Sequence, residues 1–322
     1  MAANQELEVT EQLEEQVAQL YGQGQYNRAL PLAKRVLAIR KRLLGDEHPA
    51  VAASLNTLAL LYKSQGRYTD AEPLFLQALN ISKRLLGEEH PLTVSSLSNL
   101  AALYQAQGRY SEAEPLFLQA LDIDKRQSGD DHSNIALSLN NLAVVYQAQG
   151  RYSEAEPLFL QALDIDKRQL GDDHPNVATD LNNLAEVYQA QGRYSKAESL
   201  FLQSLDITKR QLGEDHPDTA GSLNNLALLY QEQERYAEAE PLYLQALDID
   251  KRVLGEDHME VATDLNNLAG VYQAQGRYPE AESLFLQALQ ILDRCLGADH
   301  PTTVKIRNNF AYLRNQISNS GE

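Results

Sequence analysis

Seven histidines recur at one position of a repeating sequence, and they are the first residues to consider for chemistry. They follow one another at intervals of 42 residues: His48, His90, His132, His174, His216, His258 and His300. Ligands of one zinc ion lie about 2 Å from it, whereas neighbouring repeats of a helical array stand about 10 Å apart. The spacing therefore favours a structural role in a turn, and neither a metal nor another cofactor is expected.

The remaining polar residues lack the pattern of a catalytic site. Gly22 and Gly24 begin a G-x-G sequence, but Asn27 stands where a dinucleotide-binding loop carries its third glycine. The acid pair Asp164 and Asp166 returns as Asp122/Asp124 and Asp248/Asp250, which a single active site does not require. Ion pairs along a solvated helix explain such acids better. We therefore expect a protein without enzymatic activity.

The composition narrows the class of partner. A formal net charge of −17 argues against nucleic acid and anionic membranes, both of which bind basic surfaces. The single cysteine, Cys295, excludes a disulfide within the chain and a CxxC pair. No apolar run approaches the roughly 18 residues of a membrane span, and the acidic start is unlike a signal peptide. A cytoplasmic protein is the simplest expectation.

These residues belong to a sequence repeat. The segment from Leu139 to Gly171 returns 42 residues later, almost letter for letter. The heptapeptide Tyr-Gln-Ala-Gln-Gly-Arg-Tyr starts at Tyr104 and occurs four times, and a fifth copy carries Glu234 in place of glycine. A fixed period of this length is typical of a solenoid.

Each repeat contains two helical stripes of apolar residues. Leu139 to Tyr146 has apolar residues at i, i+3, i+4 and i+7, which predicts helix A. Ala155 to Leu163 repeats that spacing and predicts helix B. Gly150 lies between the two stripes, where a left-handed residue ends a helix. Each repeat is thus expected to form an antiparallel helix pair.

The helix starts have their own signals. Ser153 and Glu156 have the S-x-x-E spacing of a capping box, which predicts the start of helix B, with Pro157 in its first turn. His174 and Pro175 precede the next helix A, with proline at its first position.

The predicted fold is an all-α solenoid of seven antiparallel helix pairs and a C-terminal capping helix, in one domain over residues 1–322. The capping helix is expected at 301–317, with short disordered tails. The pairs are expected at 7–48, 49–90, 91–132, 133–174, 175–216, 217–258 and 259–300.

Three motifs carry a resemblance to a known family. They are LNNLAxxY in helix A, AExLxxxAL in helix B and LGxDHPxVA in the loop. The unit resembles a tetratricopeptide repeat in its 42-residue form, and most closely the repeats of kinesin light chains and of similar bacterial arrays. The resemblance implies a right-handed superhelix whose concave groove, lined by helix A, binds an extended peptide, as kinesin light chains bind cargo.

The resemblance also implies the candidate binding residues. The first asparagine of LNNLA falls on the groove side of helix A: Asn56, Asn140, Asn182, Asn224, Asn266 and Asn308. Seven residues later, on the same face, are Gln105, Gln147, Gln189, Gln231 and Gln273. Their amides could pair with a peptide backbone in either direction. Selectivity would come from the positions that vary: Leu60, Ala102, Val144, Glu186, Leu228, Gly270 and Tyr312. A merely solvated polar face is the alternative interpretation.

The second asparagine of the motif is interpreted as mostly structural, tying neighbouring helices together. Its members are Asn99, Asn141, Asn183, Asn225, Asn267 and Asn309.

The predicted function is a non-enzymatic scaffold, most simply monomeric, that binds an extended segment of a partner protein. One alternative is head-to-tail self-assembly, because the first helix is acidic and the last carries Lys305, Arg307 and Arg314. Another is a detached sensor arm of a larger signalling protein. The sequence does not identify the partner.

Overall fold

The computed structural model describes residues 2–128 and 132–320, and within them the chain is helical. The helices follow in order: α1 Ala2–Gly22, α2 Tyr26–Leu44, α3 Pro49–Ser64, α4 Tyr68–Leu86, α5 Pro91–Ala106, α6 Tyr110–Ser128, α7 Ser133–Ala148, α8 Tyr152–Leu170, α9 Pro175–Ala190, α10 Tyr194–Leu212, α11 Pro217–Glu232, α12 Tyr236–Val253, α13 Met259–Ala274, α14 Tyr278–Cys295 and α15 Pro301–Ser320. Odd-numbered helices are the A helices and even-numbered ones the B helices. The predicted all-α repeat fold is confirmed.

The chain divides into two compact units, Met1–Ala162 and Leu163–Glu322, with the division inside α8. In unit 1, α3 packs on α4 and α5 on α6, and each B helix also contacts the following A helix. Unit 2 repeats this order from α9 to α15. The single domain over residues 1–322, with its repeat boundaries, stays a prediction.

Small and large apolar residues alternate in the core of each pair. In the second pair Ala59, Ala71 and Ala78 are fully buried, together with Leu55 and Phe75. Alanine at a crossing point lets two helix backbones approach, and the phenylalanine then fills the space beside them. The 42-residue period therefore reproduces one packing unit.

The recurring histidines cap the A helices, as expected from their place in the turn. His174 Nδ1 accepts the backbone N–H of Asn176 at 3.2 Å, and Pro175 is the first helical residue. The same bond forms at the other six histidines. Each imidazole satisfies an amide that the helix itself leaves free. Among the described residues no group of three or more His, Cys, Asp or Glu side chains is arranged to hold a metal.

The capping boxes expected at the B helices are wrong. α4 begins at Tyr68 with Arg67 as its N-cap, and no side chain caps it. α10 begins in the same way after Arg193. Thr69 and Ser195 therefore lie inside their helices, because the turn after the glycine reaches helical geometry two residues earlier than the serine spacing suggests. Pro73 lies inside α4, beyond its first turn.

Two further features concern turns and ends. Gly150 has φ 73°, as expected for a left-handed helix end, but Glu234 in the fifth copy also has φ 60°. α1 already begins at Ala2 and α15 reaches Ser320, although short disordered tails were expected there. No proline interrupts α1, and α15 has proline only at its first position, so both helices continue.

Candidate functional site: the exposed face of the A helices

The predicted site residues lie on one side of each A helix, which we call the A-helix face. In α9, Asn182, Glu186 and Gln189 are spaced i, i+4 and i+7, and all three are half-buried. The face is defined by such triplets: the first asparagine, the variable position and the glutamine of each A helix.

In unit 2 the asparagines bond from one A helix to the next. Asn225 Nδ2 donates to Asn182 Oδ1 at 2.8 Å, so the second asparagine of one helix holds the first asparagine of the helix before it. Asn309 donates to Asn266 in the same way at 2.9 Å. Both asparagines of the motif therefore contribute to packing.

A second type of bond leaves the first asparagine in the forward direction. Asn224 Nδ2 donates to Asp264 Oδ1 at 2.5 Å, and in unit 1 Asn56 Nδ2 donates to Ser96 Oγ at 2.8 Å. Asn56 is buried by this contact. Asn182 donates to Glu186 at 3.0 Å, within its own helix. These donors are already engaged inside the protein, which leaves fewer of them for a ligand than the sequence suggested.

The other amides differ in their surroundings. Gln231 accepts the hydroxyl of Tyr243 at 3.0 Å, and Gln273 donates to Gln316 at 2.6 Å. Asn308 is exposed. The remaining predicted amides are half-buried: Asn140, Gln105, Gln147 and Gln189.

The variable positions include the most exposed apolar residues of the face. Leu228 is 43% exposed and Tyr312 is 62% exposed. Leu60, Ala102, Val144 and Glu186 are half-buried. At Gly270 an added Cβ would lie 3.2 Å from Gln231 Nε2, which places this position against the glutamine of the preceding A helix. Variable positions and glutamines of adjacent helices are thus neighbours.

Cavities open between successive A helices. In unit 2 a cavity of about 240 Å³ lies between α9 and α11; its lining includes Glu186, Gln189, Phe201, Leu228 and Glu232. In unit 1 a cavity of about 410 Å³ lies between α5 and α7. The predicted variable positions therefore border spaces large enough for side chains.

The charge of the face differs between the units. α5 and α7 of unit 1 contain no Asp, Glu, Lys or Arg, and α3 carries Lys63, whose pKa is lowered by burial. In unit 2, α9, α11 and α13 each carry two acids and no Lys or Arg. No described residue of these A helices supplies an arginine.

The recurring heptapeptide has a structural role that was not predicted from the sequence. Arg109 lies over the Tyr104 ring, 4.1 Å from its centroid, and pairs with Glu112 and with Glu72 of the preceding pair, the latter at 2.8 Å. Hydrogen bonds to both carboxylates raise the pKa of Arg109 and lower that of Glu112. Arg235 and Arg277 repeat the arrangement. The only signal in the sequence was the fixed distance from each arginine to a glutamate 37 residues earlier.

The family comparisons agree with this geometry. A family model described as a tetratricopeptide repeat matches residues 10–83, 55–126, 134–210, 181–252, 218–285 and 260–322, and a second one matches 98–169. The chain belongs to the tetratricopeptide repeat family. No curated protein matches the chain.

Solved structures point to the kinesin-light-chain type of repeat. A candidate kinesin light chain from Podosopora anserina with nearly identical TPR-like repeats is 32% identical, with a TM-score of 0.52, over 64% of this chain and 98% of that one. A single-substitution form of that protein is 31% identical, with a TM-score of 0.53, over 64% of this chain and 97% of that one. BtubC (BKLC) from P. vanneervenii is 25% identical, with a TM-score of 0.54, over 76% of this chain and 92% of that one. The resemblance inferred from the sequence is confirmed.

The family also defines the broad class of function. Tetratricopeptide repeat proteins are in general non-enzymatic scaffolds for protein–protein interaction, and neither matching family is catalytic. Within the described residues, no helix combines the length and apolarity needed to cross a membrane.

Proposed function

We propose that this protein is a scaffold that captures an extended segment of a partner protein on the A-helix face. The observation that carries the proposal is that each unit has a cavity between two successive A helices, bordered by exposed apolar residues such as Leu228 in unit 2. An extended chain advances about 3.3 Å per residue. With A helices about 10 Å apart, every third side chain could therefore enter such a space.

The asparagines act mainly by preparing this surface. Because Asn182, Asn224 and Asn266 bond to neighbouring residues, they fix the spacing of the A helices. Gln189 and the exposed Asn308 are the amides we assign to the peptide backbone. Side-chain selectivity belongs to the variable positions, above all Leu228 and Tyr312.

The acidic faces of α9, α11 and α13 bear on the partner. Of the six acids on these helices, Asp180 and Asp264 are buried. The other four, with no Lys or Arg beside them on these helices, still disfavour nucleic acid and anionic lipid. We therefore assign a protein segment as the ligand, with neutral or basic character where it contacts unit 2, and a cytoplasmic site of action.

Capture from a native lysate by matched baits tests the proposal. Leu228→Glu places a charge on the A-helix face, and Leu244→Glu places the same charge on B helix α12, where Leu244 is 44% exposed. We expect wild type and Leu244→Glu to enrich the same proteins and Leu228→Glu to lose them several-fold, as read by mass spectrometry. Loss with Leu244→Glu and retention with Leu228→Glu would place the binding site on the B helices.

Alanine substitution of the asparagines is a less direct test. Because Asn224 and Asn182 bond across helices, their removal changes helix packing as well as the binding surface. The leucine pair separates the two effects, since both side chains are exposed and belong to the same unit.

Head-to-tail self-assembly has less support. Of the acids in the first helix, Glu14 pairs with Arg40 at 2.6 Å and Glu6 pairs with Arg42, both inside unit 1. Arg307 in the last helix lies 3.5 Å from Asp293. Part of the charge on which the assembly would depend is thus already compensated.

A further inference from the structure

We propose that the cavity between α5 and α7 binds a lysine or arginine side chain of the captured segment, with Asp124 as its counter-charge. This proposal rests on the function proposed above and names the chemistry of one contact. The cavity lies wholly in unit 1, and its volume of about 410 Å³ falls within the roughly 300–1,000 Å³ typical of ligand clefts.

Asp124 lines this cavity and is only 8% exposed. Ser138 Oγ donates to its Oδ2 at 2.6 Å, and within residues 2–128 and 132–320 this is the only hydrogen bond to the carboxylate. A buried carboxylate with one neutral donor is poorly solvated, and burial raises the pKa of Asp124, although the hydrogen bond from Ser138 and the nearby His132 act in the opposite direction. Among the described residues, no Lys or Arg forms an ion pair with the Asp124 carboxylate.

The cavity walls do not supply a cation. α5 and α7, which form two of its sides, contain no charged residue. Lys125 and Arg126 follow Asp124 on α6 but do not line the cavity. The described lining residues include no Lys, Arg or His, so a cation from outside would meet no competing positive charge in the cavity itself; His132 lies outside that lining.

The rest of the lining suits the aliphatic part of a long basic side chain. Val94, Leu137 and Phe117 form an apolar wall, and Leu137 is 62% exposed. Lysine and arginine bury such a stem against apolar surface while the charged head finds a polar partner. Amides complete the lining: Asn99, Asn134, Asn141 and Gln127. They offer acceptors to the remaining N–H groups of the head.

The corresponding cavity of unit 2 provides an internal comparison. It lies between α9 and α11, has a volume of about 200 Å³, and is lined by Thr208 and Gly221 where the unit 1 cavity has Asp124 and Leu137. Asp166 and Asp250, at the same repeat position as Asp124, are also buried. Of the two cavities compared, however, only the one in unit 1 is lined by both a buried carboxylate and an exposed leucine at these positions.

Methyl NMR on the full chain tests the assignment. The probes are acetylated heptapeptides Gly-Ser-Ala-Xaa-Ala-Ser-Gly with an amidated end, in which Xaa is lysine, arginine, norleucine or glutamate. We expect the lysine and arginine peptides to shift the methyl signals of Val94 and Leu137. Norleucine has the same stem without the charge, and it should bind about tenfold more weakly, as expected for the loss of a hydrogen-bonded charge pair.

Two variants and a matched control complete the experiment. Asp124→Asn keeps the shape and an acceptor for Ser138, and it should abolish the preference for lysine over norleucine. Leu137→Ser should weaken all peptides, whereas Leu118→Ser, at a 44% exposed position on α6, should change nothing. The Val94 signal reports binding in both serine variants, and thermal melting verifies that each variant is folded.

The outcomes separate this proposal from the function on which it rests. Equal binding of the norleucine and lysine peptides, or an unchanged lysine preference in Asp124→Asn, would overturn the cationic assignment. If the peptides shift Leu228 but leave Val94 and Leu137 unmoved, the cavity proposal fails while peptide capture on the A-helix face stands. No shift of any of the three residues at millimolar peptide would contradict both.

Discussion

Two buried carboxyl groups lie at the junction of α12 and α13. Asp250 and Asp264 are almost fully buried and lie close enough to influence each other's charge, and Asn224 donates to Asp264. Burial, together with the negative charges of Asp250 and Glu260, raises the pKa of Asp264 to about 8. Burial also raises the pKa of Asp250. Two carboxylates this close cannot both be charged at low cost, so the pair holds a proton at neutral pH.

This pair predicts an unusual dependence of stability on pH. An unfolded aspartate has a pKa of about 4, so the folded protein binds the extra proton between about pH 4 and pH 8. Its free energy of unfolding should therefore fall as pH rises through that window, by at least about 1 kcal/mol between pH 6 and pH 8. Urea unfolding at a series of pH values measures this.

Two substitutions identify the source of the effect. Asp264→Asn replaces the shared proton with an amide and should flatten the dependence, whereas Asp248→Asn, at an exposed position on α12, should leave it unchanged. A slope that survives Asp264→Asn would refute the account of the pair.

At the scale of single residues, the sequence predicted the role of a side chain better than the residue to which it bonds. The capping histidines were recognisable because their position in the loop before Pro49 or Pro175 allows one local bond. The particular bond from Asn225 to Asn182 was not recognisable from the sequence, because periodicity places residues on a face but does not show which neighbouring helix they reach.

At the scale of elements, the turn between α11 and α12 contains a strained residue. Glu234 has φ 60°, where the other copies of the heptapeptide carry glycine. A residue with a Cβ is destabilised by roughly 1–2 kcal/mol in this conformation. We expect Glu234→Gly to raise the free energy of unfolding by about 1 kcal/mol.

The control for this prediction retains the strain. Glu234→Ala keeps the Cβ and should give no comparable gain in urea unfolding. If alanine stabilises the protein as much as glycine does, the effect comes from the removed charge and the conformational explanation is wrong.

The ends of elements also show where sequence patterns fall short. The left-handed glycine after the A helix was predicted correctly, as at Gly150, but the serine spacing suggested B helices that start too late. Tyr68 and Tyr194 are already helical because the residue after each glycine, Arg67 or Arg193, takes the N-cap position. The start of each of these B helices is therefore set by the tight turn after the glycine and not by the capping motif in the sequence.

At the scale of the whole molecule, the ion pairs already formed by the first helix predict that the protein does not assemble head to tail. Because Glu14 and Glu6 pair inside unit 1, we expect sedimentation velocity to show one species whose coefficient is independent of protein concentration at low and high salt. Species that grow with concentration and shrink with added salt would instead support head-to-tail assembly.

The repeat made the architecture predictable, since one packing unit recurs every 42 residues. Leu55 and Phe75 fill the same core positions as their counterparts in later pairs. The binding surface was only partly predictable. Exposure of Leu228 and burial of Asn56 depend on contacts between repeats, and a single-repeat pattern does not contain them.

The central claim is that a partner segment lies on the A-helix face. Its most direct test is photo-crosslinking with p-benzoylphenylalanine placed at Leu228 or, as a matched position, at Leu244. The two leucines are 43% and 44% exposed, on α11 and α12 respectively. The account predicts partner adducts from position 228 and none from 244, mapped by mass spectrometry to one extended segment. Adducts from position 244 alone would contradict it and move the binding surface to the B helices.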